Sequence, residues 1–168
     1  MFLAVKATQI EAAADWLATL VGLQTVVRVL QNGIEQAEIV RSHLPRGDIV
    51  PAVVWFPAQA LQGTRCAVDL AENFSALAWR KLLQNAVAGL MALTHRRSGI
   101  FSRSDIAGLT LAYALECLAV ARAEGAELGD EVPQENLEKF QAAPADMSTS
   151  ILTDREAGWP LEWDIRTA

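Results

Sequence analysis

The longest unbroken pattern in the chain runs from Asn73 to Thr94, where apolar side chains occupy almost every direction around a helix. No proline interrupts this stretch, so a single buried helix is predicted. Its polar side chains include two pairs four residues apart, Arg80 with Gln84 and Lys81 with Asn85, and each pair shares one face. The spacing fits a lysine and an amide directed together into a cleft. It also fits a narrow solvated stripe on a core helix, and spacing alone favours the stripe.

Upstream of this helix, short apolar runs alternate with helical patterns. The predicted strands are Phe2–Val5, Thr25–Leu30 and Asp48–Phe56, and the predicted helices are Thr8–Leu20 and Ile34–Leu44. The second strand is β-branched and almost continuously apolar, which is typical of a parallel strand covered on both faces. Alternation of this kind predicts half of a doubly wound, Rossmann-like nucleotide-binding domain.

Downstream of Asn73 the pattern is entirely helical. Further helices are predicted over Asp105–Ala123, from Pro133 to about Gln141, from a cap at Ser148 or Ser150 to near Gly158, and over Leu161–Thr167. The predicted fold class is therefore α/β plus all-α. A partial doubly wound βαβ segment over residues 1–62 precedes a helical domain over residues 63–168.

Composition and charge narrow the function. Acidic residues outnumber basic ones by 20 to 14, and the net charge of -6 argues against nucleic acid as a partner. No uninterrupted apolar run reaches the roughly 20 residues that span a bilayer, and Met1–Val5 lacks the basic flank of a signal peptide, so we expect no membrane partner and a cytoplasmic location. Cys66, Cys117, His43 and His95 stand apart from one another, so no metal site is predicted.

Several segments carry a resemblance to a known enzyme family. The run Ala78–Ala86, A-W-R-K-L-L-Q-N-A, is similar to a W-x-K-x-x-x-N signature. The run Ser148–Asp154 is similar to S-M-x-x-D, and Gly158–Asp164 follows it where the family has T-E-I-D. Upstream, Val5–Ala7 and Val29–Gly33 resemble the strand ends V-K-A and L-Q-N-G. The chain thus resembles the ketopantoate reductases (2-dehydropantoate 2-reductases) along most of its length.

The resemblance implies a helical domain of the 6-phosphogluconate dehydrogenase C-terminal type. It also implies NADPH-dependent reduction of 2-dehydropantoate, a small 2-keto acid, to pantoate in pantothenate and coenzyme A synthesis. A keto group that accepts hydride must gain a proton on oxygen, so a positioned acid such as an ammonium is required. The matching residues are the catalytic Lys81 and Glu162, the substrate-binding Asn85, Ser150 and Ser98, and the cofactor-side Lys6 and Asn32.

The chain departs from the family pattern in three places. None of its ten glycines stands in a G-x-G arrangement, so the phosphate-binding turn is truncated away and the chain alone is expected to bind NADPH poorly. The segment between Gln62 and Asn73 is contracted, and the family's final helix is not matched.

Three interpretations of function follow from these departures. The chain is a fragment or truncated member of an NADPH-dependent reductase, a non-catalytic helical dimerisation module, or a related 2-keto or 3-hydroxy acid dehydrogenase. The unpaired edge of an incomplete sheet also predicts self-association, with a homodimer as the expected assembly.

Overall fold

The structure, a computed structural model, describes residues 1–44, 46–55 and 68–161. The chain divides into two compact units, Met1–Ala78 and Trp79–Ala168. The predicted domain boundary at residues 62/63 lies outside the described residues.

The first unit is a three-stranded parallel sheet with two α-helices. Its elements are β1 (Phe2–Leu3), a 3-10 helix (Ala7–Gln9), α1 (Ile10–Leu20), β2 (Val26–Leu30), α2 (Gln36–His43) and β3 (Asp48–Ala52). The strand order is β1-β2-β3, with Leu3 paired to Val29 and Val29 paired to Pro51. The predicted succession of strand, helix, strand, helix and strand is confirmed, with strands shorter than predicted.

The core of this unit lies on one face of the sheet. Val27 and Val29 are fully buried and belong to one apolar cluster with residues of α1 and α2, whereas Val26 and Arg28 are exposed. The expectation that both faces of β2 are covered is therefore wrong for the described residues. Buried and exposed residues alternate along β2 because successive side chains of a strand point to opposite faces of the sheet, and both helices pack against the same face.

The second unit is helical. Its elements are α3 (Phe74–Thr94), whose first turn belongs to the first unit, a 3-10 helix (Ser98–Ser102), α4 (Ser104–Ala123), α5 (Val132–Ala142) and α6 (Ser150–Glu156). The core cluster is Val87, Ala88, Met91, Phe101, Ala114, Leu137, Phe140 and Leu152. Within it the rings of Phe101 and Phe140 stack with centroids 4.9 Å apart.

The cap of α3 agrees with the sequence, and the other ends of these helices differ from the predicted ends by at most about two residues. Asn73 Oδ1 accepts the N–H of Ala76 at 2.9 Å and so caps α3. The cap of α6 is Thr149, which accepts the N–H of Leu152 at 3.5 Å, in place of the predicted Ser148 or Ser150. The 3-10 helix at Ser98–Ser102 was not predicted, and most of the predicted helix Leu161–Thr167 lies outside the described residues.

Helix α4 is long and apolar. Within the described residues it passes a length and hydropathy test for crossing a membrane, with a mean hydropathy of 1.5 over its most apolar 18 residues. One such helix is weak evidence, because the core helices of globular proteins pass the same test. Only 22% of its most apolar window is buried, so much of its apolar surface is exposed in this structure.

Candidate active site

The two polar pairs on α3 have different surroundings. Arg80 forms an ion pair with Glu135 of α5, and Lys139 Nζ, also on α5, donates to Gln84 Oε1 at 2.8 Å. Arg80 and Gln84 are half-buried and their contacts with α5 are partly exposed, so this pair forms a partly solvated stripe that also binds α5.

The second pair, Lys81 and Asn85, lies about 100° further around the same helix, and both side chains are half-buried. Successive residues of a helix point in different directions, so the contacts of Arg80 and Gln84 with α5 leave the Lys81–Asn85 face for other contacts. The arrangement holds an ammonium and an amide one turn apart on one face.

An apolar groove of about 710 Å³ runs between α3 and α4. Asn85 lines it, and so do Tyr113, Glu116 and Cys117 of α4 and Ile151 of α6. Burial raises the pKa of the Cys117 thiol, and burial also raises the pKa of the Tyr113 hydroxyl. Both groups therefore remain neutral at physiological pH, and Glu116 and Asn85 add a carboxyl group and an amide to a largely apolar lining.

Helix α6 brings the second signature segment to this groove. Ser150 is exposed at the first position of α6, directly before Ile151, which lines the groove. The helix is anchored at its other end, because Arg97 forms an ion pair with Glu156 at 2.9 Å and Arg155 Nη1 donates to the carbonyl of Ala92. Asn85 and the residue that follows Ser150 thus line one groove.

Ser98 has a different environment from the other predicted substrate contacts. It is 1% exposed, and its hydroxyl donates to the Pro144 carbonyl at 2.5 Å. The N–H groups of Ser98 and Gly99 donate to the carbonyls of Met147 and Ala145, at 3.2 and 3.0 Å. Ser98 therefore fixes the loop that leads to α6, and the one proton of its buried hydroxyl is used in this contact.

The predicted cofactor-side residues lie at the ends of neighbouring strands in the first unit. Lys6 follows β1 and Asn32 follows β2. These are the carboxyl ends of parallel strands, the edge at which open α/β sheets bind their ligands. Gln31 connects the two ends, since its Nε2 donates to the Val5 carbonyl at 2.8 Å. Gln31 was not among the predicted site residues, although a polar residue directly after a buried strand is a usable signal.

The remaining predictions concern Glu162 and metals. Glu162 lies outside the described residues. Among the residues that are described, no group of three or more histidine, cysteine, aspartate or glutamate side chains is arranged to hold a metal ion.

Comparison with known proteins gives one consistent family. The family description "Ketopantoate reductase PanE/ApbA" matches residues 1–73, and "Ketopantoate reductase PanE/ApbA C terminal" matches residues 73–167. The 2-dehydropantoate 2-reductase of Mycobacterium tuberculosis is 46% identical over 99% of this chain and 66% of its own length.

Solved structures agree with these matches. A dimeric ketopantoate reductase from Staphylococcus aureus superimposes with a TM-score of 0.86 at 25% identity, over 98% of this chain and 66% of that one. A D-mandelate dehydrogenase with NADH and anilino(oxo)acetate superimposes with a TM-score of 0.80 over 98% of this chain and 65% of that one, and its 17% identity shows the shared fold alone. The chain spans about two thirds of the length of the curated relatives it matches. Because two adjoining family descriptions together match residues 1–167, the chain belongs to the ketopantoate reductase family.

Proposed function

We propose that this chain carries the substrate-reducing residues of an NADPH-dependent 2-dehydropantoate 2-reductase. The observation that carries the proposal is the pairing of Lys81 and Asn85 on one face of α3. Asn85 and Ile151 line one groove, and Ser150 directly precedes Ile151 in the chain. Family membership and 46% identity to the Mycobacterium tuberculosis reductase support the same reaction.

Lys81 is the proposed acid of this reaction. Its ammonium donates a hydrogen bond to the 2-keto oxygen of the substrate and stabilises the negative charge that develops there. It then transfers a proton to that oxygen, which completes the hydroxyl of pantoate, and the neutral amine regains a proton from solvent. A half-buried lysine suits this task, because reduced solvation strengthens its interaction with the developing alkoxide.

The other site residues bind and orient the substrate. The Asn85 amide has both donor and acceptor atoms, and the Ser150 hydroxyl can donate to a substrate carboxylate or hydroxyl. By its match to the family motif, Glu162 is the carboxylate that binds the substrate. Ser98 is not part of this set, since its hydroxyl already donates to Pro144.

The first unit fits the nicotinamide end of a dinucleotide. Lys6 and Asn32 offer an ammonium and an amide at adjacent carboxyl ends of a parallel sheet, and these donors suit a carboxamide and a ribose hydroxyl. When bound, the cofactor supplies the hydride. No glycine-rich turn for its phosphates occurs in this sequence, so Lys6 and Asn32 would hold only one part of it.

Steady-state kinetics test the proposal. The chain would be assayed alone, and as a fusion with the unmatched third of the Mycobacterium tuberculosis relative, using 2-dehydropantoate with NADPH and with NADH. We expect turnover by the fusion, a preference for NADPH, and weak cofactor binding by the chain alone. D-mandelate with NAD⁺ tests the related dehydrogenase. A folded fusion without turnover on either substrate would leave the dimerisation module as the function.

The same proposal includes the assembly and location of the protein. We propose a homodimer, since β1 and β3 are edge strands of the described sheet and the Staphylococcus aureus neighbour is described as dimeric. A role in pantothenate synthesis and a cytoplasmic location are further parts of it, because this reaction consumes a soluble keto acid and NADPH.

A further inference from the structure

Two buried glutamines lie at the carboxyl end of the parallel sheet. Gln31 is 7% exposed and Gln36 is 3% exposed, although glutamine is usually a surface residue. A buried amide is stable only where its N–H and C=O groups find hydrogen-bond partners, so the partners of these side chains define what they hold in place.

Gln31 extends the pairing of β1 with β2 beyond the strands themselves. The backbone ladder pairs Phe2 with Arg28 and Leu3 with Val29, and β1 ends at Leu3. The Val5 carbonyl, two residues after the end of β1, accepts a hydrogen bond from Gln31 Nε2 at 2.8 Å. Val5 directly precedes Lys6, so a side chain from the end of β2 fixes the backbone on which Lys6 is mounted.

Gln36 fixes the turn that carries Asn32. Its Nε2 lies 2.5 Å from the Gln31 carbonyl and 3.0 Å from the Gly33 carbonyl, and these carbonyls flank Asn32. A longer contact of 3.5 Å reaches the Ala52 carbonyl at the end of β3. The Gln36 amide therefore hydrogen-bonds two carbonyls of the turn after β2 and contacts the end of β3.

The chemistry of these contacts requires a donor at position 36. All three neighbours of Nε2 are carbonyl oxygens, which can only accept, so the opposite orientation of the amide would place oxygen against oxygen. The orientation of this amide leaves Gln36 Oε1 buried without a hydrogen-bond partner among the described residues. Gly33, at φ 105°, occupies a conformation that favours glycine, so the turn depends on both the glycine and the amide.

We propose that Gln31 and Gln36 are positioning residues that set the backbone at Lys6 and Asn32 for a nicotinamide cofactor. The inference rests on the proposed function, which gives Lys6 and Asn32 their contact with that cofactor. Gln31 acts on the Lys6 side and Gln36 acts on the Asn32 side, and neither touches the cofactor itself.

Nuclear magnetic resonance of the ¹⁵N-labelled chain tests the positioning without any cofactor. The variants are Gln36→Met, Gln36→Glu and Gln31→Met, with Gln24→Met as the control, since Gln24 is exposed in the same unit. For both Gln36 variants we expect the Asn32 side-chain amide and the Gly33 backbone amide to shift and become mobile. Gln31→Met should shift the Lys6 amide. The control should change neither.

A glutamate is the informative substitution at position 36. Glutamate keeps the size of glutamine, but its ionised form cannot donate a hydrogen bond. If Gln36→Glu shifts and mobilises the Asn32 and Gly33 amides as much as Gln36→Met does, the effect belongs to the Nε2 donor of Gln36. The buried amides of Val27 and Val29 should keep their protection from hydrogen exchange. Two results would overturn the inference. One is that the Asn32 resonances of the Gln36 variants and the Lys6 resonance of Gln31→Met stay at their wild-type positions. The other is an equal loss of hydrogen-exchange protection throughout the unit, with no local change at these residues. If Gln36→Met does not fold, Gln36→Glu and Gln31→Met still decide it.

Kinetics of the fusion protein give the functional readout. Gln36→Met should lower kcat/KM for NADPH by about ten- to a hundredfold, since small misplacements at a reacting site have effects of that order. The KM for 2-dehydropantoate should change little. Failure of the wild-type fusion to turn over would instead count against the proposed function, and the resonance data would still report whether the glutamines fix the two strand ends. An unchanged kcat/KM for NADPH in Gln36→Met would overturn the inference.

Discussion

Lys81 and Arg80 are neighbours in sequence, but we expect a catalytic role for Lys81 and a structural role for Arg80. Arg80 is paired with Glu135, whereas Lys81 shares its face with Asn85. General acid catalysis contributes roughly a hundred- to ten thousandfold, so Lys81→Ala should lower kcat of the fusion protein by that factor. NADPH affinity should stay nearly the same, and Lys81→Arg should not restore turnover because a guanidinium scarcely releases a proton.

The control for this prediction is Lys139→Ala, which removes a lysine of the same unit that contacts Gln84. It should leave kcat almost unchanged. Steady-state rates over a range of substrate concentrations separate kcat from KM. Full turnover in Lys81→Ala would remove Lys81 from the mechanism.

Ser98 should affect stability and not substrate binding. Ser98→Ala removes the hydrogen bond to Pro144 from a residue that is almost completely buried, which should cost about 1 to 2 kcal/mol of unfolding free energy. Urea denaturation measures this loss, and Ser102→Ala, at an exposed position of the same 3-10 helix, is the control. Equal stability of the two variants, or a rise in KM with Ser98→Ala, would contradict the assignment.

Cys117 should react slowly as a nucleophile. Burial raises the pKa of its thiol, the hydrogen bond with Tyr113 lowers it, and the nearby Glu116 carboxylate raises it. Because the folded state holds the proton more tightly, the contribution of this group to stability is complete below the ordinary thiol pKa of about 8.5 and is lost as the pH rises through the higher folded value.

The rate of alkylation by iodoacetamide measures this pKa. The midpoint of its pH profile for the Cys117 peptide, followed by mass spectrometry, should lie above that of a free thiol. Glu116→Gln should move the midpoint down, and Glu124→Gln, at the exposed end of α4, should not. A midpoint at or below the free-thiol value would show that burial does not control this group.

At the scale of elements, the packing of α5 depends on one aromatic pair. Phe140 stacks on Phe101 and is almost fully buried, so Phe140→Ala should cost about 3 to 5 kcal/mol of unfolding free energy. Phe140→Leu keeps most of the volume and should cost distinctly less. Chemical denaturation provides the measurement, with Lys139→Ala as the exposed neighbour. A loss below about 1 kcal/mol for Phe140→Ala would mean that α5 repacks without the ring.

Most elements were predictable from the sequence, and the failures have physical causes. Helix α3 agrees with its prediction to within one residue, because its long apolar pattern and its Asn73 cap are both local signals. Coverage of β2 was not predictable from its composition, since the number of faces that helices cover is a property of the whole sheet. The 3-10 helix at Ser98–Ser102 depends on hydrogen bonds to residues 144–147, which are distant in sequence.

At the scale of the whole molecule, the open sheet edges should lead to self-association. The outer strands β1 and β3 present unpaired backbone groups within the described sheet, and Val50 on β3 is exposed. Light scattering should therefore show a mass that rises with concentration from 18.2 kDa towards twice that value. Val50→Lys should weaken the association, whereas Leu20→Lys, at an exposed site on α1, should not. A monomer mass that stays constant with concentration would contradict the predicted self-association.

The sequence proposes the residues of the candidate site, and the contacts around these residues were not predictable from it. The family signatures supplied Lys81, Asn85 and Ser150, because short motifs record chemistry directly. The separation of the Arg80 pair from the Lys81 pair depends on where α5 packs, and the roles of Ser98 and Gln36 depend on carbonyl groups that carry no sequence signature. Patterns of local spacing contain none of this information.

The burial of Trp79 gives the molecule an intrinsic optical probe. Trp79 lines the groove and is 8% exposed, whereas the other tryptophans among the described residues, Trp16, Trp55 and Trp159, are between 43% and 71% exposed. Iodide in solution quenches the fluorescence of exposed indoles far more than that of a buried one. The emission that remains after quenching therefore includes that of Trp79. Its wavelength reports whether the groove around Trp79 contains water or is occupied by another molecule.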